Sequence, residues 1–186
     1  MKALKGFTLI ELLVTIAIAA IVVTMGIPSF SNAITNSRLT TKANELLTSL
    51  NLARSEAIKR GMQVTIRRKG STSKHWEAGW DVFVDTDGSN SFNDDGDANL
   101  CETNTDGSPT EDCLLRTYGA LPAGFTLVTG SSTAKDYIAY LSTGLSKGNA
   151  GDTFHLCHDN DVSGSKEITL NPVGRAYVKS PGTSCS

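Results

Sequence analysis

Hydrophobic side chains run almost without interruption from Phe7 to Ile27, broken only by Glu11 and a few threonines, and then thin into a repeat. At about 1.5 Å per residue, a helix over that run reaches across the ~30 Å hydrocarbon core of a bilayer. Lys2 and Lys5 precede it. By the positive-inside rule they predict a cytoplasmic N-terminus and put everything after Pro28 on the far side. A secretory signal peptide would have a shorter apolar core followed by a small-residue cleavage site, whereas this run is long and continues into helical sequence. Pro28 is expected to kink the helix or loosen a turn. From about Ser31 to Arg60, Ala43, Leu46, Leu47, Leu50, Ala53 and Ala57 recur at spacings of three and four, the stripe of a helix lying on a sheet. Glu56 and Arg60 are four apart on its polar side, and Gly61 is a natural stop.

Beyond Gly61 the pattern shortens to β-like runs separated by turns: Val64 to Arg68, Trp80 to Val84, Leu114 to Tyr118, Phe125 to Val128, Tyr137 to Leu141, Thr153 to Cys157, Glu167 to Leu170 and Arg175 to Val178. One long helix followed by many short strands predicts an α+β fold. A long N-terminal α-helix, with a transmembrane half and an amphipathic half, is expected to pack on antiparallel β-sheets.

The 186 residues, 39% hydrophobic and 19% charged, suit one modest core plus one additional element. With 17 basic and 19 acidic side chains the net charge is -2, so nucleic-acid binding would need a local patch rather than bulk attraction. All 4 cysteines lie in the second half without Cys-x-x-Cys spacing, which favours disulfides and an oxidising compartment. No phosphate-cradling glycine loop, nucleophile elbow or metalloprotease helix is present. The chain is not expected to be an enzyme or to carry a cofactor.

Glu11 is the conspicuous residue of the apolar run, because a carboxylate inside a bilayer costs on the order of 2.5–3.5 kcal/mol unless it finds a partner. Gly6-Phe7-Thr8-Leu9-Ile10-Glu11, with lysines before it and Leu12-Leu13-Val14 after it, resembles the type IV prepilin signature. That resemblance implies cleavage between Gly6 and Phe7 by a prepilin peptidase and N-methylation of the new Phe7 amine. It also implies that Glu11 neutralises the Phe7 amine of a neighbouring subunit during assembly. Two charges that are each costly in lipid become tolerable when paired. The stretch Leu52-Ala53-Arg54-Ser55-Glu56-Ala57-Ile58-Lys59-Arg60, then Val64, Trp76, Gly79-Trp80 and Val82-Phe83-Val84-Asp85, is similar to the GspH/FimT family of minor pseudopilins and minor pilins.

The domains implied are a leader peptide, 1–6, a transmembrane and filament-core helix, 7–28, and a periplasmic pilin-like globular domain, 29–186. The expected protein is a single-pass inner-membrane subunit with a cytoplasmic N-terminus. After processing it would join a type II secretion pseudopilus or a type IV pilus, at or near the tip, and meet other pilins through its N-terminal helix.

Three further groups are candidates. Four cysteines admit three connectivities, of which Cys101 with Cys113 and Cys157 with Cys185 need the least chain rearrangement. A metal site on His155, Cys157 and His158 is disfavoured, because alternate strand residues face opposite ways and His158 leaves the face shared by the other two. Asp85-Thr86-Asp87-Gly88-Ser89-Asn90, followed by Asn93-Asp94-Asp95-Gly96-Asp97, has calcium-loop composition, with Asp85 and Asp87 as the foremost ligands. It lacks an EF-hand's closing glutamate, so the reading is a hairpin loop of turn formers without a metal. Finally, some FimT-like pilins take up DNA with a C-terminal Gly-Arg-x-Arg pattern. Here Gly174-Arg175-Ala176-Tyr177-Val178-Lys179 replaces the second arginine by Tyr177 and moves the charge to Lys179. Arg175, Tyr177 and Lys179 would share one strand face and offer two phosphate contacts and a stacking ring. The alternative is an edge strand protected by charge.

Overall fold

A computed structural model describes residues 6–94, 96, 101–130, 134–149 and 151–185, with the side chains of 25–29 and 149 outside that description. These residues fall into two compact units divided between Arg38 and Leu39.

Helix α1 covers Leu9–Arg60. It opens on Thr8, whose hydroxyl accepts the Glu11 N–H at 3.3 Å and whose carbonyl accepts the Leu12 N–H at 3.1 Å, an N-cap that satisfies an otherwise orphaned donor. It closes with Glu56 paired to Arg60 at 2.7 Å and to Lys59 at 3.5 Å. Gly61, at φ 69°, then returns its N–H to the Ala57 carbonyl at 3.0 Å.

In the second unit the helix buries Leu39, Ala43, Leu46, Leu50, Ala53 and Ala57, while Leu47 is half-buried. This stripe packs into one hydrophobic cluster with two four-stranded antiparallel sheets. The first sheet has the order β3 (Cys113–Tyr118), β2 (Trp80–Val84), β1 (Val64–Arg68), β5 (Tyr137–Tyr140). The second has the order β4 (Phe125–Thr129), β6 (Asp152–His158), β7 (Asp161–Leu170), β8 (Ala176–Lys179).

Both tryptophans are fully buried and tie the layers together. Trp80 donates its indole N–H to Ser49 of the helix at 3.0 Å and stacks on Tyr118 at 5.2 Å. Trp76 meets Phe154 edge-on at 5.2 Å, and its backbone N–H bonds the Leu127 carbonyl at 2.8 Å. The segment before β2 is thereby sewn onto the second sheet.

Strand bounds follow the sequence pattern closely except at β7, which begins at Asp161 instead of Glu167. His158 pairs with Asp161 across a two-residue turn in which Asp159 and Asn160 both have positive φ. Such a turn matches strand twist, and it lets the polar stretch Asp161–Ser165 join the ladder without a hydrophobic alternation to announce it.

Candidate functional site

The N-terminal segment is the first candidate. Every residue from Gly6 to Thr24 is exposed, including Phe7 at 71%, Leu9 at 76% and Ile10 at 65%. An apolar surface on all sides of a helix has no face set aside for a protein core. Glu11 is exposed within it and has no side-chain partner among the described residues. Thr8 and Glu11 have the spacing of a capping box, of which only the bond from the Glu11 N–H to the Thr8 hydroxyl is made. The carboxylate is left over. Among the described residues no helix is long and apolar enough to cross a membrane; the described side chains of the apolar run end at Thr24, short of Ile27. Lys2 and Lys5 lie outside the described residues.

The C-terminal region is the second. The turn from β7 into β8 is closed by Asn171 N–H to Arg175 carbonyl and Gly174 N–H to Asn171 carbonyl, both at 2.9 Å. Gly174 sits at φ 79°, where a Cβ would fall 2.5 Å from the Gly144 carbonyl oxygen, which itself accepts the Arg54 guanidinium at 2.9 Å. Arg175, Tyr177 and Lys179 are all exposed, with Tyr177 and Lys179 on this edge strand and Arg175 in the turn before it. Lys179 pairs in register with Glu167, and its ammonium lies 3.9 Å from that carboxylate.

The tail after β8 folds back over the second sheet. Cys185 bonds to Cys157, Gly182 donates to the Ser165 carbonyl at 3.1 Å, and the Thr183 N–H donates to Glu167 at 2.5 Å, joined by the Thr183 hydroxyl. Those Thr183 bonds hold the Glu167 carboxyl below its ordinary value. Cys101 bonds to Cys113. With Cys157 in a disulfide, the His155, Cys157, His158 grouping has no thiolate to offer a metal.

The acidic loop is the third. Val84 pairs with Cys113 at the ends of β2 and β3, so Asp85 and Asp112 emerge side by side. Both are buried. Asp87, exposed, completes a group of three carboxylates whose oxygens lie within 4.8 Å of one another. Asp87 accepts the Ser89 N–H at 2.8 Å, which with the Ser89 hydroxyl and Asn93 holds its carboxyl below the usual carboxylate range. Asp112 had no motif to mark it in the sequence and is found only through strand pairing. Asp95 and Asp97 lie outside the described residues.

An exposed apolar N-terminal helix that continues into an α+β domain of two antiparallel sheets defines a type IV pilin-like protein. Residues 1–27 match the prokaryotic N-terminal methylation motif, and residues 42–174 match the family model of the type II transport protein GspH. The chain belongs to the GspH family.

Two crystal structures of the type IV minor pilin FimU of Pseudomonas aeruginosa, strain PAO1, are similar at 19% identity. One, in space group P21, has a TM-score of 0.58 and covers 81% of this chain and 96% of FimU. The other, in space group P65, has a TM-score of 0.56 and covers 80% and 100%. The minor pseudopilin EpsH from the type 2 secretion system of Vibrio cholerae is 15% identical, with a TM-score of 0.49 over 78% of this chain and 99% of that one. A search of curated protein sequences gave no match. Family and fold make the chain an envelope-associated minor pilin or pseudopilin of a type IV pilus or type II secretion system, a class of structural subunits that assemble with other pilins.

Proposed function

We propose that this subunit is cut between Gly6 and Phe7 by a prepilin peptidase, methylated on the Phe7 amine, and held in the inner membrane by residues 7–28. Its N-terminus is cytoplasmic before cleavage and its globular domain periplasmic. It then enters a filament at or near the tip. The observation that carries this reading is the helix surface from Gly6 to Thr24, apolar and exposed on every side, with Glu11 as its one acidic group. Such a surface is stable only in lipid or against other helices of its kind. A carboxylate there gains most when it meets the Phe7 amine of a neighbour.

The test is to express Glu11→Leu in cells that build the filament and to compare membrane and sheared-filament fractions. The expected result is a processed subunit, with Phe7 as its first residue, that stays in the membrane. A variant entering filaments at the parental level would end the assembly role for Glu11. A Gly6→Leu variant that still loses its leader would end the proposed cleavage site.

DNA capture is the second reading, supported by Arg175 just before β8 and Tyr177 and Lys179 on it, all three exposed. Glu167, 3.9 Å from Lys179, cancels part of that charge, and two cations alone give weak, salt-sensitive affinity. Salt-sensitive binding of double-stranded DNA that Arg175→Ala with Lys179→Ala abolishes would establish this reading, and absence of binding at low salt would remove it.

A further inference from the structure

We propose that Asp85, Asp87 and Asp112 form a calcium-binding site at the open end of the β2–β3 pair, independent of the filament role above. The three carboxylates come from different places, the first residue beyond β2, the loop after it and the residue before β3; the outer two converge because Val84 and Cys113 are paired. Their oxygens lie within 4.8 Å of one another. Two ligands on opposite sides of a calcium ion stand about 4.6–5.2 Å apart, twice the Ca–O distance, so the three are close enough to share one ion.

A second observation points the same way. Asp85 is 2% exposed, and its two oxygens are treated differently. Oδ2 accepts Gln63 Nε2 at 2.6 Å, the Thr65 hydroxyl at 2.7 Å and the Asn90 N–H at 3.0 Å. Oδ1 is buried and accepts from nothing among the described residues. A buried carboxylate oxygen without a donor is costly, and more so beside two further carboxylates. Among the described residues no lysine or arginine forms an ion pair with any of the three. Lys147 and Arg67 come near but are spent on the Gly88 and Asn90 carbonyls and the Asn90 side chain.

The loop bonds also orient the ligands. Asp112 Oδ1 accepts the Thr86 N–H at 2.8 Å and the Thr86 hydroxyl at 2.9 Å, and Oδ2 accepts the Asn93 N–H at 2.9 Å, which leaves a lone pair on Oδ2 for an ion. Exposed Asp87 gives the ion a way in from solvent. An all-oxygen set selects a hard cation, and three carboxylates on a loop suit calcium better than magnesium, which keeps its waters and rarely takes so many protein ligands. With only three carboxylates, carbonyls and water would complete the shell, so the affinity falls in the range of extracellular modules, a Kd of about 10⁻⁴–10⁻³ M.

The experiment is calcium titration calorimetry on the full chain in detergent, with Asp87→Asn as the variant because Asp87 is exposed and its replacement leaves the core alone. Buried Trp76 and Trp80 report by fluorescence that the variant is folded. The expected result is one ion per chain in the parent and about tenfold weaker binding in Asp87→Asn, with a calcium-dependent rise in melting temperature that is larger in the parent at every calcium concentration. No saturable binding up to about 10 mM calcium, or a variant that binds like the parent, would overturn the site. Magnesium bound as tightly as calcium would overturn the choice of ion.

Discussion

Replacing Gly174 by alanine tests how the end of the helix, the turn after β5 and the β7–β8 turn lock together. At φ 79° an alanine is strained whatever surrounds it, by about 1–2 kcal/mol. Its Cβ would also lie 2.5 Å from the Gly144 carbonyl oxygen and 3.0 Å from a Tyr140 ring carbon. Neither neighbour gives way cheaply, since Gly144 O accepts Arg54 at 2.9 Å and Tyr140 is fully buried. Forcing the turn outward adds about 1–3 kcal/mol. Gly61 supplies the control: its φ is 69° and a Cβ there meets nothing within 4 Å, so Gly61→Ala carries the backbone cost alone. The assay is urea unfolding of the full chain in detergent, read from Trp76 and Trp80, the only 2 tryptophans, both buried in the folded unit. Gly174→Ala should lose more stability than Gly61→Ala by about 1–3 kcal/mol. Equal losses would refute the claim that Gly174 is required by the approach of Gly144.

Ser49→Ala removes the acceptor of a buried indole N–H and should cost about 1–3 kcal/mol in the same assay; an unchanged midpoint would mean that the Trp80 bond contributes nothing. Replacing Cys157 and Cys185 by serine opens a link between residues 28 apart, worth about 3–4 kcal/mol in the chain-entropy model, and should expose the tail to proteolysis after Lys179. A tail that stays resistant would show that the Thr183 and Gly182 bonds suffice. Because Thr183 lowers the Glu167 carboxyl in the folded state, that contact stabilises fully above the ordinary glutamate value of 4.5 and is lost as pH falls through the lowered folded value. Protection of the Thr183 amide against exchange, relative to its intrinsic rate at each pH, should therefore fall in acid before that of the core amides, and uniform protection down to global unfolding would contradict it.

Much of this architecture is legible in the chain alone because its signals are local. The helix, its Gly61 stop and the bounds of β1 and β2 follow from periodicity and turn residues. So does the methylation signature, a run of residues at fixed offsets read without reference to the fold. The early start of β7 is hidden because Asp159 and Asn160 take positive φ without a glycine to advertise it, and the residues after them are polar. Ser49 carries no mark of its role in the sequence; it is Trp80, 31 positions away, that needs its oxygen. Asp112 has no neighbouring motif and joins Asp85 only because β2 and β3 align Val84 with Cys113. Periodicity, caps and processing signals are written within a few residues of one another and so belong to the sequence. Which polar groups meet, and which carboxylate is left without a donor, is decided by strand pairing between distant segments, and only the tertiary structure holds that information.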